Sequence, residues 1–348
     1  MAASRLICLV LLIASAMKAQ TATSWPEADK LFHTDPRWLG ADAAFSVDLG
    51  NNRVLWLFGD TWIAHPGSHS RRDASFLHNT VAIQNGYDPS HASINFYWRS
   101  TQSDPHEILP NEGDVWMWPG AGIRAGNSLI LFAWRTTSDK SKDSLGFKGV
   151  GWNAYLVNNP DDEPTAWTLK KIAQQDDDVT MTCTVLRQGK FVYLFGQGGK
   201  GRDLYVARAT AQHLEQGHLD PLAWWTGNSW NGTRTTRQPI LHDVDTETSI
   251  QPDPSGSGFI EINSQGFGAS DIVMRRAPSI TGPWTAPKII YRPPESDGPD
   301  AFVYAAKSHP ELRGADLILT YATNGFTDAT TDDLTRYFPR FVRVTLKP

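Results

Sequence analysis

Acidic side chains stand just before or at the end of five apolar segments of the sequence. They are Asp42, Asp60, Asp114, the run Asp176–Asp178, Asp245, Glu247, Asp297 and Asp300. A single aspartate before a strand is ordinary turn chemistry, because its side chain bonds nearby backbone groups. Carboxylates that converge from several segments repel one another, so at least one keeps its proton near neutral pH. A protonated carboxyl beside an ionised one is what the hydrolysis of a glycoside requires.

Tryptophan is abundant in this chain, which has 14 of them. Those expected at the same edge as the acids are Trp62, Trp116, Trp118 and Trp152. Flat rings at that edge can stack on the apolar C–H faces of sugars. Tryptophan is also common core material, and we assign Trp56, Trp167 and Trp284 to packing between sheets. Acids and rings together favour a carbohydrate ligand.

Other chemistries find little support in the sequence. The run Asp176–Asp178 offers oxygen ligands that suit Ca²⁺, but no loop has EF-hand spacing. No HExxH or paired-cysteine pattern indicates zinc, and no GxSxG elbow indicates a serine hydrolase. We expect no catalytic metal and no cofactor, and a structural Ca²⁺ in a central channel stays open as an alternative.

The acids flank a short apolar strand motif that occurs five times. The copies are Arg53–Thr61, Leu129–Arg135, Phe191–Gly199, Gly258–Gly266 and Leu317–Gly325. Equivalent residues in successive copies are 74, 63, 67 and 59 positions apart. A spacing this regular along the whole chain predicts repeated four-stranded sheets, which close into a propeller.

Each repeat has further strands around its central one. Inner strands are expected at 43–49, 121–125, 179–186, 248–251 and 302–307, and third strands at 80–84, 153–157, 204–208, 272–276 and 341–346. Outer, Trp-bearing strands follow in four repeats, at 94–98, 165–172, 222–225 and 284–291. The fifth repeat reaches Pro348 without one, and Leu31–Thr34 is the segment available to replace it. The prediction is an all-β, five-bladed β-propeller whose last blade is closed by an N-terminal strand.

The inner strands of a propeller line its central channel, and the loops that lead into them form one mouth. That mouth is the natural ligand site of the architecture. Apart from Asp60, which ends the first central strand, these acids precede inner strands in all five repeats, so we expect the whole set to converge there.

Composition bounds the partners of the protein. The 348 residues, 40% of them apolar and 28 of them glycine, suit a packed β protein with one domain over residues 20–348. The formal charge is −5, the pI is about 6.0 and no basic stripe is visible, which argues against a nucleic-acid partner. After the N-terminus no apolar run reaches the length of a membrane span. We expect a monomer that acts on a polysaccharide or oligosaccharide.

Residues 1–19 have the pattern of a cleavable signal peptide. Arg5 precedes the apolar run Leu6–Ala14, and small residues suited to cleavage follow. The expected location is therefore secreted, either extracellular or periplasmic. Cys183 is then the one cysteine of the mature chain, which excludes an internal disulfide and predicts a buried packing residue.

Several motifs resemble the domain-of-unknown-function 4185 family and its relatives. The motifs are Gly40–Ser46, Leu55–Trp62, Asn79–Ala82, Glu247–Ser249, Ala277–Trp284 and Lys307–Leu312. The resemblance covers residues 38 to 346, and its most specific part is the FGDTW segment with the aspartate upstream. Part of that group forms glycoside hydrolase family 183, which are endo-acting D-arabinofuranosidases on a five-bladed propeller.

The resemblance implies hydrolysis by two aspartates. The matching positions are Asp42 and Asp60, which one strand hairpin can bring to the same rim. Glu247 is a third carboxylate that tunes the pair or replaces one member. The assignment of acid and base stays open. Inversion is preferred: a carboxyl separation of about 6.5–9.5 Å would support it, and about 5–5.5 Å would indicate retention.

Four further positions are expected to support the site. Asn79, His309 and Arg340 would bind sugar hydroxyls or hold the carboxylates, and they are equally suited to bonding backbone groups between blades. Asp178 would bind substrate, with turn chemistry as its alternative.

The prediction is a secreted glycoside hydrolase that cleaves an arabinan- or arabinogalactan-like furanoside polysaccharide. The alternative is a non-catalytic, lectin-like carbohydrate-binding propeller. Geometry separates the two, because an enzyme needs Asp42 and Asp60 at one pocket, whereas in a binder they would cap turns and face solvent.

Overall fold

The computed structural model describes residues 21–101, 104–142, 144–199, 202–325 and 329–346. The predicted signal peptide, residues 1–19, lies outside the described residues. The chain forms a five-bladed β-propeller, as predicted. Each blade is an antiparallel sheet with four strands in its main path. Along the chain, the inner strand of each of blades two to five comes after the outer strand of the preceding blade.

The strands are numbered along the chain. β1 (Thr21–Ser24) precedes blade one, which contains β2 (Trp38–Gly50), β3 (Arg53–Ile63), β4 (Ser75–Leu77), β5 (Thr80–Asn85) and β6 (Ser93–Tyr97). A hairpin of β7 (Arg99–Thr101) and β8 (Asp104–His106) leads to blade two, with β9 (Trp116–Ala125), β10 (Ser128–Ser138), β11 (Phe147–Val157) and β12 (Leu169–Gln175).

Blade three contains β13 (Val179–Gln188), β14 (Phe191–Gly198), β15 (Asp203–Thr210) and β16 (Ala223–Trp224). Blade four contains β17 (Ser249–Pro252), β18 (Phe259–Gln265), β19 (Asp271–Ala277) and β20 (Lys288–Tyr291), and blade five β21 (Phe302–Ser308), β22 (Leu317–Asn324) and β23 (Arg340–Thr345). Short helices lie between them, namely α1 (Pro26–Asp29), α2 (Ala211–Glu215) and α3 (Ala329–Asp332), with 3₁₀ turns at Lys30–His33, Arg71–Asp73, Pro164–Ala166 and Pro294–Asp297.

Central strands are apolar throughout because a neighbouring blade covers each of their faces. In β3, Trp56 and Phe58 pack in the core shared with blade five. Leu55 and Leu57 point the other way, into the core shared with blade two. Successive side chains of a strand alternate between faces, so a strand buried on both sides reads as one continuous apolar run. This is why the repeated motif was visible in the sequence.

The last blade is closed by an N-terminal strand, but by a different one from that predicted. β1 pairs antiparallel with β23, from Thr21 opposite Thr345 to Ser24 opposite Val342. Leu31–Thr34 was the wrong segment, because residues 30–33 form a 3₁₀ turn.

The apolar character of that turn reflects core packing. Leu31 and Phe32 are buried between blades five and one, and the ring of Phe32 stacks 5.1 Å from that of Phe341. Cys183 is also buried, as predicted. None of the helices in the described part of the chain has the length and hydropathy needed to cross a bilayer.

Candidate active site

Asp42 lies at an irregularity of β2. The register between β2 and β3 shifts on both sides of this residue. The next two residues, Ala43 and Ala44, have φ angles of 63° and 61°, in the left-handed region that residues with a Cβ seldom adopt. Bulges and strained backbone of this kind re-aim side chains and concentrate at functional sites. The local backbone is therefore shaped to present Asp42.

The carboxyl of Asp42 is partly buried and receives hydroxyl donors from blade five and the loop before β23. Tyr304 donates to its Oδ2 over 2.7 Å, and Tyr337 also bonds to it. Burial, reinforced by the negative charges of Asp60 and Glu247, raises the pKa of Asp42 to about 8 against the effect of these hydroxyls. These surroundings favour the protonated form of Asp42 at neutral pH.

Asp60 lies near the end of β3, in a different environment. The indole N–H of Trp118 donates to its Oδ1 over 2.6 Å, and His78 Nδ1 lies 2.9 Å from the same oxygen. Its side chain is 20% exposed. Asp60 accepts the indole N–H, whereas the roles in the His78 contact depend on the tautomer of the ring. Two aspartates of one hairpin therefore have different partners: tyrosine hydroxyls at Asp42, and the rings of Trp118 and His78 at Asp60.

Glu247 precedes β17 and is paired with a buried cation. Its Oε2 lies 2.8 Å from the Nζ of Lys307, a side chain that is 2% exposed. The same ammonium donates to the carbonyl oxygens of Ala43 and Ala305. Burial raises the pKa of Glu247, and the charge of Lys307 opposes this. Lys307 therefore ties the third carboxylate to the backbone just beyond Asp42.

A second bulge explains why blade five supplies both partners. The register between β21 and β22 shifts between Tyr304 and Lys307, and Ala305 has a φ angle of 61°. One irregularity thus directs Tyr304 to Asp42 and Lys307 to Glu247. Sequence reasoning missed both residues. The visible signal was a lysine within an otherwise apolar inner strand.

Aromatic side chains form a wall beside Asp60. The aromatic wall consists of Trp62, Phe76, His78, Trp116 and Trp118. Ring centroids of Trp62 and Phe76 are 4.7 Å apart, those of His78 and Trp116 are 4.5 Å apart and nearly parallel, and those of Trp116 and Trp118 are 5.9 Å apart. Phe76 is 42% exposed. The structure therefore brings three of the predicted tryptophans to one side of Asp60, together with two rings that sequence reasoning missed.

Two residues predicted to bind substrate are buried. Asn79 is fully buried, its amide nitrogen donates to the carbonyls of Leu109 and Met117 over 3.0 Å each, and its oxygen accepts from the N–H of Leu109. Trp152 is 2% exposed and packs against Phe132. The assignment of Asn79 is corrected, because its amide bonds within the protein, and Trp152 borders a concavity of about 290 Å³ whose lining does not include the three acids of the candidate site.

His309 is a second correction. It is 2% exposed, and its ring bonds to Thr320 over 2.8 Å and to Ser46 over 2.6 Å, which links blades five and one. Burial and the charge of Lys307 lower the pKa of His309 well below its ordinary value. The ring is neutral and serves as a bridge between blades.

Asp178 and Arg340 are engaged with other partners. Asp178 is 70% exposed in its side chain and pairs with Arg237 over 2.6 Å. Arg340 donates to the carbonyl of Thr335 over 2.7 Å and lines a concavity of about 190 Å³ with Asp300 and Arg336 among others. Neither the lining of this concavity nor the Asp178 pair includes the three acids of the candidate site.

The described residues contain no cluster of three His, Cys, Asp or Glu side chains arranged to hold a metal ion. In the channel, the oxygens of Glu247, Ala43 and Ala305 surround the ammonium of Lys307. The ammonium of Lys307 thus supplies the positive charge among these three oxygens.

Gly59 provides the space that Asp42 occupies. A Cβ at this position would lie 2.4 Å from Asp42 Oδ1, which no side chain tolerates without a shift. Gly59→Ala should therefore displace the carboxyl and lower activity by about 10²-fold or more, since a displacement near 1 Å can cost that much. Initial rates on a substrate that the parent protein turns over measure this. Gly256→Ala, where a Cβ meets open space, is the matched control. Equal rates for Gly59→Ala and the parent would contradict the assigned position of Asp42.

Solved structures with this fold include carbohydrate-active proteins. A candidate hydrolase from Bacteroides ovatus is 18% identical, with a TM-score of 0.73 over 93% of this chain and 90% of that one. The catalytic domain of the Coprinopsis cinerea GH62 α-L-arabinofuranosidase is 9% identical, with a TM-score of 0.50 over 89% and 92% of the two chains. At these identities the comparisons establish the fold.

Sequence comparison finds a fungal relative and a family. Notoamide biosynthesis cluster protein J of Aspergillus sp. (strain MF297-2) is 22% identical over 332 residues, which cover 86% of this chain and 84% of the relative. Residues 27–346 match the family model described as "Domain of unknown function (DUF5005)". The match is to a different model from the family that the motifs resemble, and the resemblance to the 4185 group stays a prediction. The chain belongs to the DUF5005 family.

Proposed function

We propose that this propeller is a glycoside hydrolase that cleaves a furanoside-containing polysaccharide of the arabinan or arabinogalactan type. The observation that carries the proposal is a pair of neighbouring aspartates in unlike surroundings: Asp42, whose pKa is raised to about 8, and Asp60, which accepts the indole N–H of Trp118 and lies 2.9 Å from His78 Nδ1. A neighbouring acid and carboxylate are what this reaction needs. The shared fold with an arabinofuranosidase and the resemblance to family 183 support the substrate class.

The roles follow from the two environments. Asp42 donates its proton to the glycosidic oxygen as the bond from that oxygen to the anomeric carbon breaks. Asp60 takes a proton from the water whose oxygen forms the new bond to that carbon. The negative charge of Glu247 helps to keep Asp42 protonated. Lys307 holds the carboxylate of Glu247 in position. With water attacking opposite the leaving group, the product has inverted configuration.

The test is a screen of the purified protein against arabinan, arabinogalactan and xylan. Release of reducing ends from a furanoside polymer is the expected result, and ¹H NMR of the first product should show the inverted anomer. Retention would mean that one aspartate attacks the sugar directly. Absence of hydrolysis on every furanoside polymer would reject the enzyme proposal.

A carbohydrate-binding propeller is the second candidate. The aromatic wall, in which Phe76 is exposed and the other rings are partly buried, favours it, because rings can bind sugar without any catalysis. A protein that binds these polymers but releases no reducing ends would establish this candidate in place of the hydrolase.

The rate of hydrolysis should fall as pH rises through about 8, because Asp42 is effective only with its proton. Tyr304→Phe removes a hydroxyl that stabilises the ionised form of Asp42. The pKa of Asp42 then rises, and the alkaline limb of the pH–rate profile moves to higher pH. Tyr87→Phe is the control, since that hydroxyl bonds to Asp48 at the other end of β2. An alkaline limb that stays in place or moves down in Tyr304→Phe would contradict the role of Asp42.

A further inference from the structure

A second set of aromatic side chains reaches Asp42 from blades four and five. Phe267, in the loop between β18 and β19, is 69% exposed. Its ring centroid lies 5.6 Å from that of Phe302, which stacks on Tyr304 at 4.7 Å with an interplanar angle of 21°. The hydroxyl of Tyr304 donates to Asp42. The three rings therefore form a continuous surface, called here the blade-five surface, that leads from solvent to the acid.

The loop that carries Phe267 is held in place. Gly266 and Gly268 have φ angles of 124° and 77°, and a Cβ on Gly266 would meet the carbonyl of Ala269 at 2.8 Å. The carbonyl of Gly268 accepts the N–H of Val303 over 2.8 Å, which joins the loop to blade five. The backbone thus needs glycine on both sides of Phe267 and keeps its ring at a fixed place, although the ring itself is mostly in water.

The blade-five surface and the aromatic wall lie at the same edge of the propeller. The blade-five surface contains the loop after the central strand β18 and the start of the inner strand β21. In the same way, the aromatic wall contains the segment after the central strand β3 and the start of the inner strand β9. Tyr304 contacts Asp42, and Trp118 contacts Asp60. The two acids therefore lie between two aromatic surfaces, one on either side of blade one.

We propose that the blade-five surface binds a sugar ring of the glycan chain, on the other side of the acids from the aromatic wall. A projecting phenyl ring, joined through Phe302 to a tyrosine at the acid, suits the apolar C–H face of a furanose or pyranose ring, with hydroxyl contacts at Tyr304 and Asp42. Chains long enough to contact both surfaces then bind more tightly than short ones. The ligand class rests on the proposed function, whereas the test below measures binding alone.

The experiment is affinity electrophoresis in gels that contain arabinan or arabinogalactan, with Asp42→Asn in every protein to stop hydrolysis. Phe267→Ala should weaken binding to the polymer about 3- to 10-fold, as expected for the loss of one stacked ring. Phe267→Trp should restore it and Phe267→Leu should not, because stacking needs a flat ring. Ile289→Ala, which removes another exposed apolar side chain on β20, should leave binding unchanged.

Several outcomes would overturn the inference. One is equal binding by Phe267→Ala and its parent, another is full binding by Phe267→Leu, and a third is no binding of either polymer by the parent. The proposed function fails separately. If glycan binding depends on Phe267 but the wild-type chain releases no reducing ends, the subsite stands and the hydrolase does not. If the polymer is hydrolysed while binding is indifferent to Phe267, the reverse holds.

Discussion

Asp42→Asn should lower the rate of polysaccharide hydrolysis by about 10²- to 10⁴-fold, the range that a positioned general acid contributes. Asparagine keeps the shape of the side chain and can still accept the hydroxyl of Tyr304, but it has no proton to give to the leaving oxygen. The measurement is kcat on the polymer that the parent cleaves best. Binding of that polymer should change little, since the lost interaction is made in the transition state.

The leaving group makes this test specific for an acid. A p-nitrophenyl furanoside needs little protonation, so Asp42→Asn should lose much less activity on it than on the polymer. Asp60→Asn should lose activity on both, because water still has to be deprotonated. Asp48→Asn, an exposed residue on the same strand, is the control. Parental activity in both Asp42→Asn and Asp60→Asn would reject the assignment.

Unfolding measurements separate lost chemistry from lost structure. A buried carboxyl with a raised pKa favours folding only at low pH, and this contribution disappears as pH rises toward about 8. Asp42→Asn lacks this titration. Its free energy of unfolding at pH 9 should therefore equal or exceed that of the parent, and an inactive variant that is more stable identifies a functional acid.

Lys307→Met should destabilise the protein by about 3 kcal/mol, near the low end for a broken buried ion pair because Glu247 keeps 20% exposure. The change leaves the carboxylate of Glu247 without its cation and the carbonyls of Ala43 and Ala305 without their donor. The pKa of Glu247 then rises further, since the charge of Lys307 is what holds it down. Urea unfolding at pH 7 measures the loss.

Two further variants test the cause. Lys171→Met breaks a surface pair, in which Lys171 is 39% and Glu112 30% exposed, and should cost less than about 1 kcal/mol. Adding Glu247→Gln to Lys307→Met removes the uncompensated charge and should recover part of the loss. Equal stability of Lys307→Met and the parent would mean that this cation contributes nothing to joining blades.

The architecture could be predicted from the sequence because the central strand of every blade is buried on both faces. A strand covered on both faces must be apolar throughout. Each repeat therefore contains a continuous apolar run, and the run in blade one includes Trp56 and Phe58. The closing strand could not be found in the same way. β1 lies at an outer edge, and its residues Thr21–Ser24 are mostly polar and exposed, whereas the apolar Leu31 and Phe32 are core residues outside any strand.

The candidate site could be predicted only in part. Asp42 and Asp60 stand out as acids around apolar strands, but the side chains that bond to them, such as Tyr304 and Trp118, are distant in sequence. A bulge in β21 directs Tyr304 to Asp42. The irregularity of β2 next to Asp42 depends on left-handed backbone at Ala43 and Ala44, which the sequence of two alanines does not indicate. Asn79 and His309 have polar side chains that suit a sugar, and only their burial reveals that the protein itself occupies them.

The pairing of β1 with β23, which closes the propeller, has a consequence for biosynthesis. Residues 21–24 are translated before the other strands of the propeller, and their pairing partners, residues 340–345, after all of them. The last blade therefore cannot be completed until β23 has been synthesised. Proteolysis beyond Ser24 would remove the outer strand of the last blade, and a bulky group joined next to Thr21 would crowd the pairing of β1 with β23.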